Sequence, residues 1–397
     1  MYIGYDMDKI TPNVGVQMEG YTPRYSDSVH DDLFESVLYV ENKFKLLLIS
    51  LDIVALPGFR VDRIKRLITE KYDIDSSQVI IAAIHTHSGP TVTDLLIDNP
   101  KIDTNYWQLI MDKVVVSVGK AIAKKREASA TMSISKVNHL AYGNRNIKDA
   151  PFNDEIIELK FWRNGKIINS LLSIATHPTV MNVNNKSLTS DLIGQIRQNY
   201  QKETGIVPII FLADCGDTST RFTRKESTFE EVRRIANLIT SSLNNDKFVD
   251  EKLTDISIKS VKYSCNYDPI TSPEANKLWL KIKSDFEIDK NKKGILDTYK
   301  HIRYYGHTHF TTSAYIYEFP ELRIVTYPGE LVHDLGQRIR NVDSKKTILI
   351  TLANDYRGYS VDKQEFGKYF ESYNSVFLKG MADEFVDKIC QKIKNDK

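Results

Sequence analysis

The amino-acid sequence predicts an α/β fold: mixed β-sheets flanked by helices. Three observations carry this. Strand-like and helix-like segments alternate along the chain rather than grouping by type. Several strands are short uncharged apolar runs, as expected where both faces are covered. Those runs stop abruptly, with His, Asp, Ser or Glu near the stop and Gly or Pro beside them.

In chain order, residues 36–40 and 44–52 read as paired strands joined by a polar turn at Glu41-Asn42-Lys43, and Asp52 closes the second. Val61, Ile64, Leu67 and Ile68 recur at helical spacing, so an amphipathic helix spans about 59–72. Residues 79–84 form an apolar run that ends in His85-Thr86-His87-Ser88-Gly89-Pro90. In extended backbone, residues i and i+2 point the same way. His85 and His87 can then face one pocket, as two metal ligands or as a ligand beside an acid/base, the plain alternative being a pair of surface or core histidines.

A second helix follows at about 105–126. Strands at 156–161 and 167–173 run into Ala175-Thr176-His177-Pro178-Thr179, again a strand ending in histidine. Thr189 or Ser190 caps a helix that Gly205 ends. The strand at 207–213 delivers Asp214-Cys215-Gly216-Asp217-Thr218-Ser219. The stretch from about 246 to 300, rich in Lys, Asp and Asn and most solvated at 289–294, reads as a peripheral insertion. Strands at about 311–318 and 322–326 lead to Tyr327-Pro328-Gly329-Glu330-Leu331. A short helix then runs through Arg340, and a strand at 347–352 opens into Asn354-Asp355-Tyr356-Arg357-Gly358-Tyr359. Within 375–397, Phe377, Met381, Phe385 and Ile389 line one face of a C-terminal helix. No internal repeat is evident.

Composition bounds the function. The 397 residues can bury a substantial core. Lys and Arg number 54 against 52 for Asp and Glu, a net of +2 with no long basic block, so nucleic acid is not the default partner. Cys215, Cys265 and Cys390 are odd in number and far apart, which argues against a disulfide framework and favours a reducing compartment. Asp6, Asp8 and Lys9 interrupt the N-terminal apolar residues, unlike a signal peptide, and no stretch approaches ~18 apolar residues. No transmembrane segment and a cytoplasmic location are therefore expected.

Taken together, His85-Thr86-His87-Ser88-Gly89-Pro90, Gly143-Asn144-Arg145, Thr176-His177-Pro178-Thr179, Gly216-Asp217-Thr218-Ser219, Pro328-Gly329-Glu330 and the tyrosine-rich stretch from Tyr356 to Tyr369 resemble, in that order, the neutral/alkaline (non-lysosomal) ceramidase family. Met18-Glu19-Gly20-Tyr21 and His30-Asp31-Asp32-Leu33 are similar to its early landmarks. The resemblance covers the catalytic domain to about Phe370 and implies a single large catalytic domain over 1–397 with a metal site at strand ends. The immunoglobulin-like domain and export signal typical of the family are not expected here.

The resemblance implies one Zn2+ ion held by His85, His177, Glu330 and Tyr359, with Tyr356 close enough in sequence to be confused with Tyr359. Two imidazoles, a carboxylate and a phenol are a reasonable donor set for a catalytic zinc. It further implies His87 as acid/base, Arg145 as the grip on substrate or oxyanion, and Ser219 as nucleophile. The family follows its serine with Pro-Asn, whereas Thr220-Arg221 stand here, which leaves Ser219 either attacking or only hydrogen-bonding. Each residue also has a plainer role: Pro-Gly-Glu as a turn, Arg145 paired with Asp149 or Asp154, Tyr359 filling a strand face.

Two other constellations compete. His307-Thr308-His309 repeats the H-x-H pattern, and Asp214 with Asp217 could hold a divalent cation, divide acid from base, or orient His87 or Arg145. The expected function is a zinc-dependent amidohydrolase that cleaves a linear amide in a small-molecule N-acyl substrate. An esterase or other hydrolase on the same zinc scaffold, or a non-catalytic ligand-binding relative, are the alternatives. With neither an apolar patch nor a cationic face legible, a water-soluble N-acyl compound is expected over long-chain ceramide.

Overall fold

The computed structural model describes residues 1–95, 99–243, 249–286, 293–304 and 308–395. It is a mixed α/β domain built on three sheets. The first has the strand order Val79–Ala83, Lys45–Leu51, Phe34–Glu41, Tyr2–Lys9, Arg126–Glu127. The second runs Ile209–Leu212, Lys166–Ile174, Glu155–Arg163, Ser129–Lys136, Val249–Glu251, and the third Ser257–Asn266, His309–Glu318, Leu322–Thr326, Lys346–Ile350.

One unit recurs in all three. An antiparallel hairpin is followed by a helix and then by a strand parallel to the hairpin's second arm. In the first sheet, Gly58–Tyr72 is the helix between the parallel strands Lys45–Leu51 and Val79–Ala83. Asp191–Thr204 does the same between Lys166–Ile174 and Ile209–Leu212, and His333–Arg340 between Leu322–Thr326 and Lys346–Ile350. The absence of a repeat in the sequence thus conceals a repeat in topology. Hydrophobic pattern and turn chemistry specify the unit, and many sequences satisfy both. The turn of the second hairpin is Asn164-Gly165, both at positive φ, as its tight reversal demands.

The parallel edges of the three sheets meet at the centre. Ser50 Oγ donates to Ile210 O at 2.8 Å, Ser173 Oγ to Leu349 O at 3.0 Å, and the Asn354 N–H to Ile81 O at 2.8 Å. Leu48, Ile80, Leu171, Phe211, Ile324 and Ile348 share one buried cluster between the sheets, and a second cluster lies between sheets and helices. Both faces of these strands are therefore covered, which is why they read as uninterrupted apolar runs.

The long strand Ser257–Asn266 pairs with His309–Glu318 along its length, so the expected insertion contributes a strand to the third sheet. Its helical part, Pro273–Phe286 with Lys293–Tyr304, buries Leu278, Ile282, Leu296 and Tyr299 in a separate small cluster with Tyr373. Most of the solvated 289–294 piece lies outside the described residues, as does His307. The helix Met381–Lys394 buries Phe385 and Ile389 as its periodicity predicts.

Candidate metal centre

Because the three units converge, the loops after their parallel strands meet in one place. Val79–Ala83 ends before the first histidine, and His85 itself has φ 63°. The extended i, i+2 geometry expected from the sequence is therefore replaced by a left-handed turn. Four buried non-glycine residues have positive φ, namely His85, Asp191, Leu352 and Asn354. His85, Leu352 and Asn354 follow the convergent strands while Asp191 opens a helix, and strain of this kind is held where packing over-determines the backbone.

His85 donates its backbone N–H to Ile53 O at 3.0 Å, and its Nδ1 lies 2.6 Å from Val54 O. His177 is fixed in the same way by one carbonyl, since both its N–H, at 3.1 Å, and its Nδ1, at 3.0 Å, meet Thr218 O. A carbonyl only accepts, so each Nδ1 carries the proton and each Nε2 lone pair points inward. Glu330 Oε2 sits between them, 3.1 Å from His85 Nε2 and 2.8 Å from His177 Nε2.

Two lone pairs and a carboxylate aimed at one buried point repel one another unless a cation or protons lie among them. The ligand atoms of His85, His177 and Glu330 all fall within 4.8 Å of one another, so the trio could hold a metal ion. The chemistry of this donor set fits zinc. Burial alone would raise the Glu330 carboxyl, but positive charge on His85 and His177 would outweigh it and hold it well below the usual range, the same role a bound cation would play. Burial, with Arg145 adding to it, lowers His177 to about 4.

Tyr359 Oη is 3.1 Å from His177 Nε2, beside the trio, whereas Tyr356 Oη donates to Glu330 Oε1 at 2.5 Å. The two tyrosines that the sequence left confusable thus have different places. His87 Nε2 lies 3.2 Å from His85 Nε2, outside the trio, and burial followed by the neighbouring histidines lowers it well below the ordinary histidine value. Gly20, at φ +93°, passes directly over this ring: a Cβ there would stand 2.4 Å from His87 Cγ. The Tyr21 ring meets it edge-on with centroids 4.9 Å apart.

Arg145 is buried. Its Nη1 is 3.3 Å from His177 Nε2 and its Nε donates to Glu371 Oε1 at 2.7 Å. Glu371, not Asp149 or Asp154, is therefore its carboxylate; Asp154 bonds Lys136 at 2.5 Å. Ser219 is buried beside Gly143 in a short antiparallel bridge, and its hydroxyl accepts the Arg221 N–H at 3.2 Å.

Asp214 and Asp217 do not orient the side chains expected of them. Asp214 binds Asn153 Nδ2 at 2.8 Å and pairs with Arg340, while Asp217 accepts the His333 N–H at 2.8 Å and uses its backbone carbonyl for the Arg145 N–H. His309 is exposed. Sequence reasoning missed Glu371 and the bond from Tyr356 to Glu330. Neither has a local signal, because their partners are far away in the chain.

No family model and no curated protein matches the sequence. Solved structures do. The neutral ceramidase from Pseudomonas aeruginosa superposes on 99% of this chain and 74% of its own with TM-score 0.74 at 14% identity. A structure described as ceramidase complexed with C2 covers 99% and 75% of the two chains with TM-score 0.74 at 15% identity. The chain has the fold of these neutral ceramidases over nearly all of its described length.

Proposed function

We propose that this chain is a zinc-dependent hydrolase that cleaves a linear amide bond of an N-acyl small molecule. The observation that carries the reading is the convergence of His85 Nε2, His177 Nε2 and Glu330 Oε2 on one buried point. It is supported by the fold shared with enzymes described as neutral ceramidases. Tyr359 completes the ligand set. A zinc ion held by these four supplies Lewis acidity to a carbonyl and lowers the pKa of water.

The remaining residues divide the work around that centre. His87, next to His85 but outside the trio, takes a proton during attack and returns it to the leaving nitrogen as the carbon–nitrogen bond breaks. Arg145 donates to the carbonyl oxygen as charge develops there. Tyr356 keeps Glu330 turned toward the histidines through Oε1. The nucleophile is water or the Ser219 hydroxyl. We place the protein in the cytoplasm, a reading its three free cysteines support, and fractionation of the host cell tests it.

Elemental analysis of purified protein, paired with turnover of a simple N-acyl amide before and after chelation, tests the proposal. About one zinc per chain and activity lost to chelator, then restored by zinc, are expected. Full activity in metal-free protein would overturn it.

A further inference from the structure

Four arginines, Arg24, Arg145, Arg221 and Arg224, are gathered around this centre, and among the described residues only Arg145 of the four is ion-paired, with Glu371. Arg24 is 7% exposed, yet its guanidinium has no acidic partner among the described residues: Nε donates to Asn185 O at 2.8 Å, Nη2 to His87 O, and Nη1 is buried without a partner. Its guanidinium carbon stands 5.0 Å over the Tyr21 ring, which in turn packs on His87. Arg224, half-buried, donates to Thr179 O at 2.6 Å, two residues beyond His177. Arg221 is exposed; its N–H binds Ser219 Oγ and its Nη1 reaches Arg145 O at 3.3 Å.

The nearby acids are mostly engaged. Glu371 gives Oε1 to Arg145 Nε while its Oε2 is buried without a hydrogen-bond partner, Glu231 is taken by Arg234, and Asp191 by the backbone N–H groups of Met181 and Leu192. Arg145 itself, 6% exposed, keeps Nη2 without a partner. A buried guanidinium normally finds acceptors for all its N–H groups, and Arg24 and Arg145 each leave one nitrogen without one. Although Arg221 is exposed overall, desolvation of its guanidinium followed by the nearby charges of Arg145 and Arg224 lowers it, against the opposing pull of Glu371, so these cations repel one another.

From this geometry we infer that the site selects an anionic substrate, an N-acyl compound carrying a carboxylate close to the scissile amide, and that Arg221 is the residue that reads the carboxylate. The inference rests on the proposed amide hydrolysis and names its substrate class. Arg24 and Arg224 supply the surrounding positive field, and Arg145 remains free to meet the carbonyl oxygen. Arg221 also stands where the chain departs from the ceramidase pattern, immediately after Ser219-Thr220. An exposed arginine there, bonded through its N–H to Ser219 Oγ, offers a carboxylate a bidentate partner.

The test compares zinc-loaded enzyme on N-octanoylglycine and N-octanoylglycinamide, which differ in one charge beside the same amide. The acid is expected to have kcat/KM roughly tenfold or more above the amide, the scale of a charge-assisted contact. Arg221→Gln, a substitution at an exposed side chain, is expected to erase most of that ratio by lowering kcat/KM for the acid alone. Equal turnover of both, or a ratio unchanged in Arg221→Gln, would overturn the inference while leaving the amidohydrolase reading intact. Turnover of neither, with zinc bound, would overturn both.

Discussion

At the scale of single residues, the centre is a matter of which nitrogen carries a proton. Val54 O and Thr218 O hold the Nδ1 protons of His85 and His177, so both Nε2 atoms are free to ligate. His85→Ala and Glu330→Ala are each expected to lose zinc and activity together. His87→Ala should keep its zinc and lose roughly 10²–10⁴-fold in rate, the usual contribution of a general acid/base. Equal metal loss in the His85 and His87 variants would make His87 a ligand. Tyr356→Phe removes only the donor to Glu330 Oε1, and metal affinity is expected to fall roughly tenfold to a hundredfold, as for other groups that orient a ligand. Ser219→Ala separates the nucleophiles: near-native turnover means that water attacks. The residue types of this centre were legible in the sequence because strands stop at them. Their partners, Glu371 above all, were not, since 226 residues separate it from Arg145.

At the scale of elements, two proposed ligands are register partners. Glu330 opens the short strand Glu330–Leu331, which runs parallel to Tyr359–Ser360, and Glu330 pairs directly with Tyr359. The bond from Glu330 N to Gly358 O, at 2.9 Å, sets that register. The approach needs glycine: a Cβ on Gly329 would lie 2.5 Å from Gly358 O. Gly329→Ala is therefore expected to weaken zinc binding by at least tenfold although every ligand remains, because it pushes the two strands apart. A titration with a competing chelator measures this, and unchanged affinity would mean that the crossing tolerates a side chain. The helix at 59–72 and the strands at 311–318 and 322–326 were legible in period and composition, whereas the strands Tyr2–Lys9 and Ser129–Lys136 and the helix Phe229–Thr240 were not read. The two-residue strand pairings could not be, since strands so short have no period, and it is these pairings that bring Glu330 to Tyr359 and Ser219 to Gly143.

At the scale of the whole molecule, three copies of one unit are packed edge to edge, and the cost of that packing shows in buried carboxyls. Burial, reinforced by Asp6 and Asp8, pushes Glu35 up to about 8 despite the Ser117 hydroxyl bonded to it. Unfolded, it would ionise near 4.3. Between those values the folded protein holds a proton that the unfolded chain lacks, so this group's contribution to stability falls as pH rises and is lost by about pH 8. Urea midpoints should accordingly fall between about pH 6.5 and 8, above the ordinary histidine range, and Glu35→Gln should flatten the slope. An identical slope in the variant would show that Glu35 is ionised in the fold. Substrate choice is also a property of the whole surface. No helix among the described residues is long and apolar enough to cross a membrane. Leu140, Ile147 and Phe222 are exposed on loops tied together by Thr223 Oγ1 and Ala141 O, beside Arg221. Three partly exposed side chains are within what an ordinary monomer shows and fall short of a membrane-docking face. On the proposed reading, a short acyl chain would lie against them. In a series of N-acylglycines below their micellar concentrations, kcat/KM is therefore expected to climb over the first few carbons and then level off. A chain buried along its whole length would instead gain about 0.8 kcal/mol, or roughly fourfold, with each methylene. A rise at that rate through sixteen or eighteen carbons would mean that the enzyme takes its substrate as a lipid.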